Sequence, residues 1–290
     1  MTTNRCLSAA AAAATVFLIG ACAQNTGDSA AGSASSSSPS SPAAAPDALV
    51  LRVQQAGGFV SPDAVAGRLP AISVYADGRV IFEGPVTAIY PGPALPNVQV
   101  LAITPEQAAT LAAQAVAAGV SRDTDFGQPG VADAPSTRVT AVTAAGAQSV
   151  EAMALNESRA DDPQLSDAQK QARSKLKAFL DGLDKLTSGQ PVPYEPEAMA
   201  AIASVYHDPG DTSIQKPDTV QWPGPALPGE ALGAQLTCVV FSGDQLEKVR
   251  AAAAKANAAT PWMSGSGAFT LRMRPLLPDE SSCADLKANR

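Results

Sequence analysis

Histidine occurs once in the chain, at His207, inside Tyr206-His207-Asp208-Pro209-Gly210. A Ser-His-Asp or Cys-His arrangement would have to use it, because a hydroxyl or thiol nucleophile needs a base within hydrogen-bond reach. The serine half of such a pair lacks its usual setting. Around Ser266 the two glycine positions of a nucleophile elbow hold Ser264 and Ala268, so the strained turn that presents a reactive hydroxyl is not encoded. His207 is therefore expected as an exposed loop residue. Asp123-Thr124-Asp125-Phe126-Gly127 opens like a calcium loop, but its twelfth position is Ala134 instead of the bidentate glutamate. Ser174-Lys175-Leu176-Lys177 has Ser-x-x-Lys spacing without companion motifs. Glu195 and Glu197 flank Pro196, and that spacing alone does not make a glycosidase acid/base pair. No phosphate-binding or dinucleotide-binding glycine pattern occurs. One histidine is too few for the usual zinc ligand sets. The expectation is no catalytic residue, no metal and no cofactor.

The cysteines carry more. Leu7 to Gly20 is apolar and mostly alanine, with Val16-Phe17-Leu18-Ile19 at its centre and Arg5 as the single charge before it. A run of about 14 residues fits a signal-peptide core and falls short of the ~20 that span a bilayer. It ends in Leu18-Ile19-Gly20-Ala21-Cys22. Small and aliphatic residues directly before a cysteine resemble the lipobox of bacterial lipoproteins. That resemblance implies a signal over 1–21, cleavage before Cys22, and fatty chains such as palmitate on its thiol. Two chains hold firmly, since each buried methylene contributes ~0.8 kcal/mol and one chain alone is marginal. The competing reading is an ordinary secretory signal cut near Ala21-Cys22-Ala23.

Residues 22–46 follow as a tether of Ala, Ser, Gly and Pro, with Asp28 its only charge. Such composition cannot bury enough apolar surface to offset ordering entropy. As a flexible coil it would hold the body ~25–30 Å from the bilayer. The remaining 47–290 carries the net charge of −7, because Arg5 and Asp28 cancel. An acidic body without a basic stripe argues against nucleic acid. Cys6 leaves with the signal and Cys22 takes lipid, so Cys238 and Cys283 remain for one disulfide in an oxidising compartment. Closing that loop is worth up to ~4 kcal/mol; two free thiols are the alternative.

Elements follow from local signals. Leu49 to Val53 is β-rich, and Asp77-Gly78 between Ile72–Tyr75 and Val80–Phe82 predicts a hairpin. Val98 to Ile103 is a strand. Thr104-Pro105-Glu106-Gln107 starts a capped helix that stops at Gly119. Thr137–Thr143 and Gln148–Ala154 predict a second hairpin. A helix from Ser166 to Leu186 buries Leu165, Ala168, Ala172, Leu176, Phe179, Leu183 and Leu186. Lys170, Arg173 and Lys177 fall on its other side, as a solvated face or an anionic contact. Ala198–Tyr206 and Leu236–Phe241 are strands. Ser242-Gly243-Asp244-Gln245 predicts another capping box, and Phe269–Arg274 a last strand. The fold class is α+β: antiparallel sheets with capped helices packed on them.

Pro-Gly-Pro-Ala-Leu-Pro occurs twice, at 91–96 after Tyr90 and at 223–228 after Trp222. Each copy precedes a strand and a capped helix, which suggests internal duplication with lobes 47–190 and 191–290. Tyr90 and Trp222 beside the prolines are a candidate binding surface; otherwise they pack each loop onto its sheet.

Ile72 to Val80, Tyr90 to Asn97, Val131 to Pro135 and Pro275-Leu276-Leu277-Pro278-Asp279-Glu280 resemble uncharacterised lipoproteins and secreted proteins of actinobacteria. The resemblance implies an outward-facing anchor on a Gram-positive, high-GC cell and transfers no site residue. The expected role is a membrane-anchored extracytoplasmic lipoprotein acting as a non-catalytic binding or structural module, with an envelope protein or the cell wall as partner. The alternative is an envelope-directed hydrolase with a site not recognisable from sequence.

Overall fold

β1 (Leu49–Ala56) sends Leu51 and Val53 to one face and Arg52 and Gln54 to the other, and all four are buried. A strand covered on both faces belongs inside a layered structure. In the computed structural model, which describes residues 45–208, 210 and 217–288, β1 is an interior strand of a seven-stranded sheet. α1 (Pro62–Gly67) follows, then β2 (Ile72–Tyr75), β3 (Arg79–Glu83), β4 (Val98–Ala102), α2 (Pro105–Ala117), β5 (Ser136–Thr143), β6 (Gly146–Met153), α3 (Asp167–Thr187) and β7 (Val192–Pro193). The strand order is β6-β5-β1-β2-β3-β4-β7, and every pair is antiparallel. Gly78, with φ 92°, turns the β2–β3 hairpin, and a side chain there would strike the Ile103 carbonyl.

The capping box expected at Thr104 forms, and the helix expected from Ser166 opens with one as well, each with its glutamine returning to the cap. α2 lays Ala108, Ala112 and Ala115 on the sheet, small residues that permit close approach. α3 adds Leu176 and Leu183 to the same cluster.

The second sheet is built from β8 (Ala198–Val205), β9 (Val220–Gln221), β10 (Glu230–Gly233), β11 (Leu236–Ser242), β12 (Trp262–Ser264) and β13 (Gly267–Pro275). Its order is β10-β11-β8-β13-β12-β9, antiparallel except for the β12–β9 pair. α4 (Gly243–Ala253) covers one face with Leu246 and Val249. α1 and α5 (Cys283–Ala288) contribute Ala66 and Leu286 to the cluster on the other face. There Cys238 and Cys283 form the disulfide, with Cα atoms 6.1 Å apart. The observed class is α+β, as the sequence predicts.

Residues 44–290 form one compact unit, and its two sheets are joined by polar groups on the far face of β1. Arg52 donates to Ser73 Oγ at 3.1 Å and Asp279 at 2.7 Å, and Tyr75 Oη donates to Asp279 at 2.8 Å. Beside them Arg274 and Glu280 form a two-pronged pair at 2.6 and 2.8 Å with side chains 1% exposed. Asp279 thus ties the segment after β13 to the first sheet, while Glu280 fixes that segment to β13 through Arg274.

Two expectations are corrected. Ser242 makes no side-chain cap, because it is still in the β11 ladder opposite Ala198, and Gly243 (φ 54°) turns the corner into α4. Arg173 is not on a solvated face. It is 5% exposed and donates to the carbonyls of Phe126, Met153 and Ala154 and to Ser158 Oγ. Of the two readings for Trp222, packing is the one observed: it is 8% exposed and edge-to-face against Phe241 and Trp262.

The two proline segments differ in form, with the cis bond at Tyr90–Pro91 in one and at Leu227–Pro228 in the other. Both pack on one cluster, through Leu95 and through Leu227. The sheets are wired differently. β4, which leads into α2, lies two strands away from β1's neighbour β2, whereas β11, which leads into α4, pairs directly with β8. β7, from the second half, joins the first sheet beside β4.

Candidate functional site

Tyr90 is 81% exposed, and Val86 and Ile89 on the same connection are exposed with it. The connection between β3 and β4 is a strap fixed at both ends. At one end Gly84 N donates to Asn97 O at 2.7 Å, and Asn97 Nδ2 donates to Pro85 O at 2.7 Å. At the other, Ala258 N donates to Gly92 O at 2.8 Å and Ala94 N to Ala256 O at 3.4 Å, behind α4. Three apolar side chains are thus held towards water by a loop whose ends are tied down.

A cavity of about 320 Å³ lies against this strap, with Val86 and Ile89 in one wall and Ile202, Arg272, Asp63 and Glu83 in the others. Arg272 Nη2 meets Asp63 Oδ2 at 2.9 Å. Desolvation alone would raise the Asp63 carboxyl; hydrogen bonds from Ser61 and Arg272 outweigh it and hold the group below its ordinary range. Glu83 moves the opposite way. Desolvation pushes it up, and Arg274 only partly offsets this.

A second recess follows α3. One flank of that helix carries Lys170, Ser174, Lys177, Asp181 and Asp184, residues three or four apart and so on one side. Along the first half of the flank a cavity of about 510 Å³ opens towards Leu155, Ala160 and Leu165. Along the second half another of about 400 Å³ opens over Val53, Ile72 and Phe82. The two meet at Asn156 and Lys177.

The remaining sequence candidates are spread apart. His207 is exposed, and no hydrogen bond joins it to a serine among the described residues. Asp125 accepts from Gly127 N and Gln169 Nε2, both at 2.8 Å, so its carboxylate ties a loop to the start of α3. No group of three or more metal-ligating side chains occurs among the described residues. Glu195 pairs with Arg250 at 2.5 Å. Ser174 lies exposed on α3, in the wall of the larger cavity. Cys22, the apolar run and the tether up to residue 44 lie outside the described residues. Among the described residues no helix is long and apolar enough to cross a membrane.

Val86, Ile89, Glu83 and the Asp63–Arg272 pair were missed from sequence. The available signal was Val86 to Tyr90 itself, apolar residues between Gly84-Pro85 and Pro91-Gly92 where no strand can run. No family model matches the chain, and neither a curated protein nor a solved structure matches it.

Proposed function

We propose that this chain is a bacterial envelope lipoprotein, held through Cys22 on the extracytoplasmic face of the cell membrane, whose α+β body is a non-catalytic binding module. The lipobox-like Leu18 to Cys22 and the tether behind it support the location. One observation carries the binding role: Val86, Ile89 and Tyr90 stay exposed on a strap anchored at both ends. Exposed apolar groups grouped in this way mark contact sites more often than scattered ones do, and a pre-ordered loop loses little entropy on binding. The partner class is an envelope protein or the cell wall. A photo-crosslinking residue at position 90, read in intact cells, should capture one recurrent envelope component. Capture no greater than from a control position such as Lys175 refutes the strap as the contact.

A second reading, an envelope hydrolase, draws support from the strap cavity. Asp63 and Glu83 line one hollow with ionisation pushed in opposite directions, the pattern of a base beside an acid. The Arg272 ion pair already occupies Asp63, which favours a structural role. If Glu83→Gln and Asp63→Asn each abolish a measured hydrolysis of wall glycan, the enzymatic reading replaces the binding one.

A further inference from the structure

We infer that the recess along α3 is a binding site for a single-chain anionic amphiphile, an acyl chain ending in a carboxylate or phosphate. The site is separate from the strap.

The recess has the two surfaces such a ligand needs. Its lining is apolar at Leu155 and Leu165 in the larger cavity and at Val53, Ile72, Phe82 and Leu180 in the smaller. Each cavity is within the range of small-molecule sites, roughly 300–1,000 Å³. The larger is rimmed by Arg159, Lys170 and Lys177. Arg159 and Lys177 each have an exposed aspartate beside them, Asp161 and Asp181. Lys170 makes no ion pair among the described residues.

Arg173 adds a charge from beneath. Arg173 lines the same cavity, and the described hydrogen-bond partners of its guanidinium are three carbonyls and the Ser158 hydroxyl. Those partners engage Nη1 and Nη2, and none of them is a carboxylate. Burial disfavours that charge, and Asp162 and Glu157 only partly compensate. A bound anion would supply the missing compensation.

The order of charges on α3 points the same way. After Asp167 in its first turn, Lys170, Arg173, Lys175 and Lys177 occupy its first half, and Asp181 and Asp184 lie in its second, before Lys185 in the last turn. In a chain of net charge −7, the basic run makes a local positive field at the larger cavity. The acidic end sets the direction: head at Lys170 and Lys177, chain along the apolar floor.

The test is fluorescence titration of the full-length protein with cis-parinaric acid and with its uncharged methyl ester. The acid should bind saturably at one site, at least about tenfold tighter than the ester. Lys170→Glu with Lys177→Glu should weaken the acid about tenfold or more and leave the ester within about twofold, since two lost attractions near a surface sum to about 1.4 kcal/mol. Ser174→Trp, an exposed position on the cavity wall, should block both probes with the melting temperature unchanged. Equal affinity for acid and ester overturns the inference, as does a double reversal without effect in a folded protein. Adsorption to phosphatidylglycerol vesicles without binding of the monomeric acid also overturns it, in favour of a membrane-facing patch.

Discussion

Replacing Glu280 by leucine removes one half of a pair enclosed on all sides. Arg274 Nη1 and Nη2 reach the two Glu280 oxygens at 2.6 and 2.8 Å, and Leu277 N donates to the same carboxylate at 2.9 Å. The variant strands a buried guanidinium and a buried amide. Breaking one half of such a pair costs about 3–5 kcal/mol, which for a body of this size lowers the melting temperature by roughly 6–20 °C. Arg274 also has a buried Nε without an acceptor, so the arginine is a liability once its partner is gone. Adding Arg274→Met removes that liability and leaves chiefly the Leu277 amide, worth about 1–3 kcal/mol. The double variant should therefore be more stable than Glu280→Leu alone by about 2 kcal/mol. Urea denaturation followed by fluorescence reads this directly, because Trp222 and Trp262 are both buried nearby in the second sheet. A double variant no more stable than the single one would refute the reasoning that Arg274 and Glu280 are a buried pair whose halves depend on each other.

Further outcomes follow from the same structure. Cys283→Ser should cost up to ~4 kcal/mol in the chain-entropy view, seen as a lower urea midpoint, with a matching loss when the parent is reduced. Trp222→Ala should cost about 3–5 kcal/mol as a core truncation, whereas Tyr90→Ala should stay within ~0.5 kcal/mol; paired melting curves compare them. Glu83 has a raised folded-state value, so its ionised form opposes folding. Glu83→Gln should then stabilise at neutral pH, with the gain vanishing as pH falls through the folded value towards 4.5. Asp63 is the reverse. Asp63→Asn should destabilise at neutral pH, and the difference should vanish as pH falls from 3.8 through the lowered folded value.

What the sequence revealed were features decided within a few residues. The Asp77-Gly78 turn and the cap at Thr104 are local chemistry, and both form as expected. The disulfide followed from counting cysteines. Features set by distant partners were not legible. Arg173 resembled a surface base because its acceptors, at Phe126 and Met153–Ala154, come from other elements. Ser242 had the right neighbours for a cap and was diverted by its pairing with Ala198. β7, β9 and β12 are two or three residues long, too short for alternation to register. Of the candidate surface, Tyr90 kept its exposure and Trp222 did not, and only the packing of β11 and β12 around the indole decides that.

The claim beneath all of this is that Cys22 carries fatty chains. Mass spectrometry of the N-terminal peptide of the protein recovered from cells, run beside membrane fractionation of a Cys22→Ser variant, tests it most directly. The account predicts a peptide that begins at Cys22 with a diacylglyceryl adduct, and a variant released from the membrane. An unmodified Cys22, with the variant as firmly bound as the parent, would contradict it.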